Sequence, residues 1–283
     1  MDGSPEADGV VSEPPAEQQA ARERPLEEYL QRPPSPVASD VRAAIEAGPV
    51  DPAQALPLDR VARMIDPRPL SAETGWCTLA DGVGFVAVRT AMPRVSGAMI
   101  DWWFDWHPRE SLRYRVWHPA AHRANSLQER PAADRSLVGA KAHWGAVHHP
   151  VEDVGIGVVH ARIAFHRPSE MGFGEDLLEH PDVATVVCGY VGDRRRHMRH
   201  TVLIHVFLRN GDGVELRSAF WLGAALRPFG ALGGVGERLL NNRIVRRAAI
   251  PAQLPRALAT HCSEEFANLA TLLPELHARF ANY

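Results

Sequence analysis

One long helix is predicted by the stretch LPRALATHCSEEFANLATLLPELHARF, which runs from Leu254 to Phe280. At roughly 100° per residue, its leucines fall on one side of the helix and form an apolar stripe of the kind that faces a core. Glu265 lies in the middle of this stripe, and His261 lies at its edge. We therefore expect both side chains to point into the protein.

A buried carboxylate on this helix needs a partner, because an unpaired charge in an apolar core is strongly unfavourable. A divalent metal ion would be such a partner, since His and Glu at positions i and i+4 project from one face and can bind one ion together. The alternative is a buried hydrogen bond between His261 and Glu265 without a metal. The helix alone leaves both interpretations open, and a catalytic metal needs further ligands.

Two other stretches offer residues that could complete a metal site. They are RYRVWHPAAHRAN, from Arg113 to Asn125, and HHPVED, from His148 to Asp153. The candidate ligands in them are His118, His122, His148, His149, Glu152 and Asp153. A lone histidine in such a run more often has a structural role, so the residue types alone do not choose among these six.

The middle of the chain is rich in predicted strands. Gly84 to Thr90, Val158 to Phe165 and Val183 to Tyr190 are β-prone runs of ordinary strand length. Ahead of the last two runs, Ser96 could cap the N-terminus of an aromatic helix from Met99 to Trp106.

A β-hairpin is predicted where Thr201 to Arg209 and Val214 to Gly223 flank the turn sequence NGDG. If the turn centres on its Gly-Asp pair, His205 lies opposite Ser218, and Phe220 lies two positions further along the same strand as Ser218. His205 and Phe220 then share one face of the sheet.

An antiparallel sheet followed by one long C-terminal helix is an α+β arrangement. We expect the helix to lie across the concave face of a curved sheet, with a pocket between the two layers. Residues 1–36 are predicted to be a disordered tail rich in Pro and Glu, and residues 37–74 a small helical segment that must pack on something larger. Residues 75–283 form the main, helix-bearing domain.

The composition excludes several classes of protein. The chain has 283 residues, 45% of them hydrophobic and 23% charged, which is typical of an ordinary soluble protein. Its net charge of -3 does not indicate the positively charged surface that binds nucleic acid. Three scattered cysteines do not make a disulfide framework or a cysteine metal site. The acidic N-terminus is not a signal peptide, and no apolar run reaches the roughly 20 residues of a membrane helix, so we expect a cytoplasmic protein.

Other motifs support structural rather than catalytic interpretations. The run DWWFDWH, Asp101 to His107, predicts a pocket wall or core rather than a platform for stacking nucleic-acid bases. The glycines at positions 230–236 lack the βαβ context of a dinucleotide loop. Cys262 is adjacent to His261 and points about 100° away from it, so we expect a core thiol. The sequence has no GxSxG motif of a serine hydrolase.

Three motifs together resemble the diacetylphloroglucinol and phloretin hydrolase family: DWWFDWHP (Asp101 to Pro108), RYRVWHPAAHRAN (Arg113 to Asn125) and HCSEEFANLATLLP (His261 to Pro274). The resemblance covers residues 70–275. It implies a hydrolase that cleaves the carbon–carbon bond between an acyl group and a phenolic ring, or within a 1,3-diketone, and releases a carboxylic acid. It also implies a helix-grip (Bet v 1-like, START-like) fold and a homodimer to which the small N-terminal segment contributes.

The resemblance further implies a metal, usually zinc, with Fe²⁺ or Mn²⁺ as alternatives. The implied ligands are His122, Glu152, His261 and Glu265. Asp153 is an alternative to Glu152. Tyr114 and Asn125 would contact the substrate carbonyl, and His205 would be a pocket histidine that protonates the departing carbon. Phe220 stands where the family has a tyrosine, which removes a hydroxyl from the substrate-binding surface and puts the substrate's identity in question.

Two alternative functions are compatible with the predicted fold. A carrier of hydrophobic ligands would use the pocket without a stoichiometric metal and would tolerate Glu265→Gln. A non-haem iron oxygenase would use two histidines and a carboxylate, and its turnover would depend on oxygen.

Overall fold

The structure is a computed structural model that describes residues 26–66, 68–128, 141–229 and 239–281. The glycine-rich stretch at residues 230–236 and residues 1–25 of the predicted tail lie outside the described residues.

An antiparallel sheet of ten strands is formed within the described residues. The strands are β1 (Gly75–Thr78), β2 (Gly84–Met92), β3 (His122–Ala124), β4 (Leu127–Gln128), β5 (Val147–His148), β6 (Val151–Asp153), β7 (Val158–His166), β8 (Val183–Asp193), β9 (Met198–Asn210) and β10 (Gly213–Pro228). Their order is β1-β2-β10-β9-β8-β7-β5-β4, with β6 pairing with both β7 and β3. The predicted strands are confirmed as parts of β2, β7 and β8.

The helices are α1 (Ser39–Glu46), α2 (Gly97–Trp106), α3 (Ser111–Trp117), α4 (Arg243–Ala249) and α5 (Leu254–Phe280). Short 3₁₀ helices lie at Pro52–Gln54, Leu58–Ile65, His107–Arg109, Pro168–Met171 and Leu177–Glu179. The α5 bounds agree with the prediction, and the Ser96 side chain accepts a hydrogen bond from the Met99 N–H at the start of α2. No helix in the described ranges is both long enough and apolar enough to cross a membrane.

The predicted hairpin is formed by β9 and β10. His205 pairs with Ser218, and Leu203 pairs with Phe220, as the turn chemistry indicated. Gly211 adopts a φ of 60°, a backbone conformation that favours glycine in a two-residue turn. The register therefore places the His205 and Phe220 side chains on one face.

Side chains of the central strands alternate between two hydrophobic layers. In β2, Val86 and Val88 pack with α5, whereas Phe85 and Ala87 pack on the opposite face. The α5 layer includes Phe266, Leu269 and Leu273, each fully buried. One long helix packed on one face of a large antiparallel sheet confirms the α+β helix-grip fold.

The segment at residues 37–74 contributes to both layers. Val41 and Ile45 of α1 join the layer that contains α5, and the Trp76 Nε1 donates a hydrogen bond to the Ile45 carbonyl. Val61 and Met64, from the 3₁₀ helix at Leu58–Ile65, join the layer on the other face of the sheet. The segment has no core of its own and is stabilised by the sheet and α5.

Residues 26–36, the described part of the predicted disordered tail, include side chains that pack in the core. Leu26 and Tyr29 are 2% and 1% exposed and belong to the core layer that contains α5. The Tyr29 hydroxyl donates a hydrogen bond to Glu275 of α5. Composition alone did not indicate this order, because the surface that buries the two side chains is supplied by a helix at the other end of the chain.

Candidate metal centre

Four buried or half-buried side chains converge where α5 passes the short strands. His261 and Glu265 come from successive turns of α5, and β3 pairs with β6 so that His122 lies directly opposite Glu152. The His122 Nε2 is 3.5 Å from one carboxylate oxygen of Glu152 and 3.5 Å from one of Glu265. The His261 Nε2 is 3.8 Å from the same two oxygens. The donor atoms of His122, His261 and Glu265 all lie within 4.8 Å of one another.

These separations fit one small metal ion. A tetrahedral zinc with bonds of about 2.0–2.2 Å places its donors about 3.3–3.6 Å apart. The His122 Nδ1 donates a hydrogen bond to the Tyr114 carbonyl at 3.0 Å, which leaves a lone pair on Nε2. That Nε2 is buried and has no hydrogen-bond partner in the part of the chain that the structure describes. A lone pair that faces two ionised carboxylates is repelled unless a proton or a metal ion lies between them.

The electrostatics of the cluster follow from burial. Burial raises the pKa of Glu265 well above its ordinary value, and the nearby Glu152 carboxylate raises it further. Burial also lowers the pKa of His261 to about 3 and that of His122 well below its ordinary value. Without a cation, these side chains are therefore most stable uncharged, whereas a divalent ion favours ionised carboxylates beside neutral imidazoles.

Tyr114 supports the cluster from α3. Its ring stacks on the His122 ring, with 3.9 Å between centroids and an interplanar angle of 4°, and its hydroxyl donates a hydrogen bond to Glu152. Burial is the main reason that the pKa of Tyr114 lies well above its ordinary value, so the hydroxyl stays protonated. One side chain thereby orients two members of the cluster.

A chain of hydrogen bonds holds α3 against α5. The Trp117 Nε1 donates to the Glu265 carbonyl at 2.9 Å, and the Asn268 Nδ2 donates to the Trp117 carbonyl at 2.8 Å. The Asn268 Oδ1 accepts the backbone N–H of Ser35. The N-terminal stretch, α3 and α5 are thus tied together next to the cluster.

The remaining candidate ligands have other partners or positions. The His118 ring stacks 5.2 Å from that of His261, but its Nε2 lies 3.3 Å from the exposed Glu264 carboxylate. Asp153 accepts two backbone N–H groups of the turn that follows it, so its carboxylate serves that turn. His148 lies in a cavity wall and is not a member of the cluster.

A cavity of about 360 Å³ adjoins the cluster, a size within the usual range for small-molecule sites. Most of its wall is apolar. Seven of the eight predicted site residues line it: Tyr114, Asn125, Glu152, His205, Phe220, His261 and Glu265. The eighth, His122, lies next to the wall and contacts Tyr114.

His205 is a buried polar group on the hairpin side of the cavity. Its Nδ1 is 2.8 Å from the Ser218 Oγ, and its ring meets those of Phe220 and Phe266 nearly edge-on. Burial lowers the pKa of His205 to about 3, so the imidazole is neutral near pH 7.

Two histidines of the cavity wall, His107 and His148, are not among the eight predicted site residues. His107 follows the aromatic run of α2, stacks on Tyr114 and donates its Nδ1 hydrogen to the Trp103 carbonyl at 2.7 Å. His148 was considered only as a metal ligand. The sequence indicated His107 only through the DWWFDWH run, which was predicted to be pocket wall or core. This prediction is confirmed, because Trp103 is fully buried and Phe104 and His107 line the cavity. Cys262 is fully buried and its pKa is raised, as expected for a core thiol.

Comparison with known proteins identifies relatives of this chain. The DAPG hydrolase PhiG domain profile matches residues 56–278. Phloretin hydrolase from Eubacterium ramulus is 30% identical over 253 residues, which cover 88% of each chain. The 2,4-diacetylphloroglucinol hydrolase of Pseudomonas protegens is 28% identical over 269 residues, covering 93% of this chain and 87% of that protein. The crystal structure of Ara h 8.0201 matches with a TM-score of 0.38 and 7% identity over 68% of this chain and 99% of that chain, a likeness too weak to bear on function.

Proposed function

The chain belongs to the DAPG hydrolase PhiG domain family, and from this premise we propose that it is a metal-dependent hydrolase of acyl phenols or 1,3-diketones. It is a carbon–carbon bond hydrolase, as its relatives named phloretin hydrolase and 2,4-diacetylphloroglucinol hydrolase are. The metal dependence rests on one observation, the convergence of two imidazoles and two carboxylates beside the cavity.

We assign the metal ligands as His122, Glu152, His261 and Glu265. Two imidazoles and two carboxylates at these separations suit Zn²⁺, and Fe²⁺ or Mn²⁺ accept the same donors. When bound, the ion supplies Lewis acidity toward the acyl carbonyl and toward water. The orphaned His122 Nε2 supports this assignment, because no protein group satisfies it within the described residues.

Tyr114 and Asn125 are assigned to the acyl carbonyl of the substrate. Both line the cavity, and each carries a side-chain hydrogen-bond donor. The single hydroxyl hydrogen of Tyr114, which Glu152 accepts in this structure, would turn to the carbonyl when the substrate binds. Donors placed where negative charge develops on an oxygen stabilise the transition state of acyl transfer. The raised pKa of Tyr114 keeps its hydroxyl a donor at neutral pH.

His205 is assigned to proton transfer. Hydrolysis places the oxygen of one water on the acyl carbon and one proton on the ring carbon that departs. The His205 Nδ1 forms a hydrogen bond with the Ser218 hydroxyl. The neutral ring can therefore accept a proton at Nε2 and donate it to the departing ring carbon. The departing carbanion must be stabilised by the substrate, through the keto tautomer of its ring or through a second carbonyl.

Phe220 leaves the wall beside His205 without a hydroxyl. Its ring lies 5.5 Å from that of His205 and contributes only apolar surface to the cavity. The substrate part bound here is therefore expected to be apolar, such as the hydrocarbon portion of an acyl chain.

The proposed function is tested with purified protein and a panel of acylphloroglucinols and 1,3-diketones. We expect release of a carboxylic acid in equal amount to the deacylated product, loss of activity after chelation, and recovery with Zn²⁺. Metal-replete protein that releases no acid from any compound would contradict the hydrolase assignment. Consumption of oxygen during turnover would instead indicate the oxygenase.

A further inference from the structure

His148 forms part of the cavity wall at the end of β5. Its strand pairs with β4 at Leu127 and with β7 at Ile163, which places the residue inside the sheet rather than in a loop. The side chain is 2% exposed. Its ring meets that of Phe165 at 4.6 Å and that of His107 at 5.4 Å, and all three residues line the same cavity.

The Nε2 of His148 is buried and has no hydrogen-bond partner among the residues that the structure describes. His107 and His205 also line the cavity, and each has its Nδ1 hydrogen-bonded within the protein, to the Trp103 carbonyl and to the Ser218 hydroxyl. Buried polar atoms in folded proteins are nearly always paired, so an unpaired one in a cavity-lining residue calls for a partner that the described residues do not supply.

We propose that His148 hydrogen-bonds a hydroxyl group on the aromatic ring of the substrate and thereby selects hydroxylated phenols. The inference rests on the proposed function, since it concerns the same cavity, and it deepens that function by assigning a specificity-determining residue. It is separate from the metal cluster, to which His148 does not belong.

The chemistry of the surroundings favours a phenolic hydroxyl over other groups. Burial lowers the pKa of His148 well below its ordinary value, so the ring is neutral and offers one donor and one acceptor. A hydroxyl can pair with the Nε2 in either role, because it both donates and accepts hydrogen bonds. A carboxylate only accepts, and an ammonium group only donates. Phe104, Phe165 and Trp117 line the cavity nearby and provide the faces against which an aromatic ring packs.

The experiment pairs changes in the protein with changes in the ligand. Binding of 2,4,6-trihydroxyacetophenone is compared with that of 2,6-dihydroxyacetophenone and 2,4-dihydroxyacetophenone, each of which lacks one ring hydroxyl. Stopped-flow quenching of tryptophan fluorescence gives the Kd before any turnover. The proteins are the metal-replete wild type, His148→Phe and His148→Gln.

We expect the wild type to bind the trihydroxy compound about tenfold more tightly than one of the dihydroxy compounds. In His148→Phe, that ratio should fall to about one, and His148→Gln should recover part of it. The matched control is His160→Phe. His160 lines the same cavity, but its Nε2 lies 2.7 Å from Arg195, so its replacement should leave the ratio unchanged.

Equal Kd values for the three ligands in the wild type would overturn the proposal, even if His148→Phe did not fold. An unchanged ratio in folded His148→Phe would also overturn it and would indicate that a water molecule satisfies the Nε2. Failure of the hydrolase assignment is distinct, because it appears as absence of acid release while the binding ratio and its dependence on His148 persist.

Discussion

At the scale of single residues, the site depends on which carboxylate of α5 faces inward. Glu264 and Glu265 are adjacent, but the Glu264 side chain is 48% exposed and the Glu265 side chain only 11%. Their directions differ by about 100° because successive helical residues are rotated by that angle. A one-residue difference therefore separates a surface charge that pairs with His118 from a member of the cluster.

Glu265→Gln is expected to lose the metal, because the amide that replaces the carboxylate carries no charge and binds metal ions more weakly. After dialysis, elemental analysis of the purified variant should find far less than one ion per chain. Glu264→Gln, the matched control, should retain the wild-type content. Equal metal content in both variants would show that Glu265 is not a ligand, whereas absence of metal from the wild type would favour the carrier.

At the scale of elements, the outer face of the sheet is joined to the N-terminal segment by Arg217 of β10. This side chain is 8% exposed, and its Nη1 donates hydrogen bonds to the carbonyls of Met64 and Asp66, at the end of the 3₁₀ helix Leu58–Ile65. Arg89 lies directly opposite on β2, but its side chain is 41% exposed. The two arginines share a position in the sheet and differ in burial.

Arg217→Met is expected to destabilise the protein by about 2–3 kcal/mol, because it leaves two carbonyls of the 3₁₀ helix without their charged donor. Arg89→Met should cost less than about 1 kcal/mol, since its ion pairs are exposed to solvent. Urea unfolding of both variants gives the two free energies. Similar values for the two substitutions would mean that Arg217 does not hold the segment to the sheet.

At the scale of the whole molecule, several histidines are buried in neutral form. Burial lowers the pKa of His107 and of His205 to about 3, and that of His200 to about 4, from an ordinary value of 6.5. The unfolded chain therefore binds protons between about pH 6.5 and pH 3 that the folded protein cannot bind. The contribution of these neutral histidines to the free energy of unfolding is complete above about pH 6.5 and is lost as the pH falls toward 3.

The free energy of unfolding should be nearly constant from pH 7 to 8 and should decrease steadily below about pH 6.5. Each such histidine lowers the free energy of unfolding by up to about 1.4 kcal/mol for every unit by which the pH falls in this range. Denaturant unfolding at a series of pH values should therefore show a smaller slope for His107→Phe than for the wild type. An unchanged slope would mean that His107 is protonated in the folded state.

Local periodicity and turn chemistry were sufficient to predict several features of the fold and of the site. The spacing of leucines in α5 placed His261 and Glu265 toward the core, and the NGDG turn set the register that puts His205 and Phe220 on one face. Both results depend on residues close together in the chain, whose geometry is the regular geometry of a helix or a hairpin.

Which distant residues meet α5 depends on the folded arrangement of the strands and could not be predicted from local patterns. The pairing of β3 with β6 brings His122 and Glu152 together, while Asp153 serves a turn instead. Tertiary packing also buries Leu26 in the core layer that contains α5, and it leaves the Nε2 of His148 without a partner among the described residues. These contacts join residues far apart in sequence, and their free energy comes from shared burial, which no local pattern encodes.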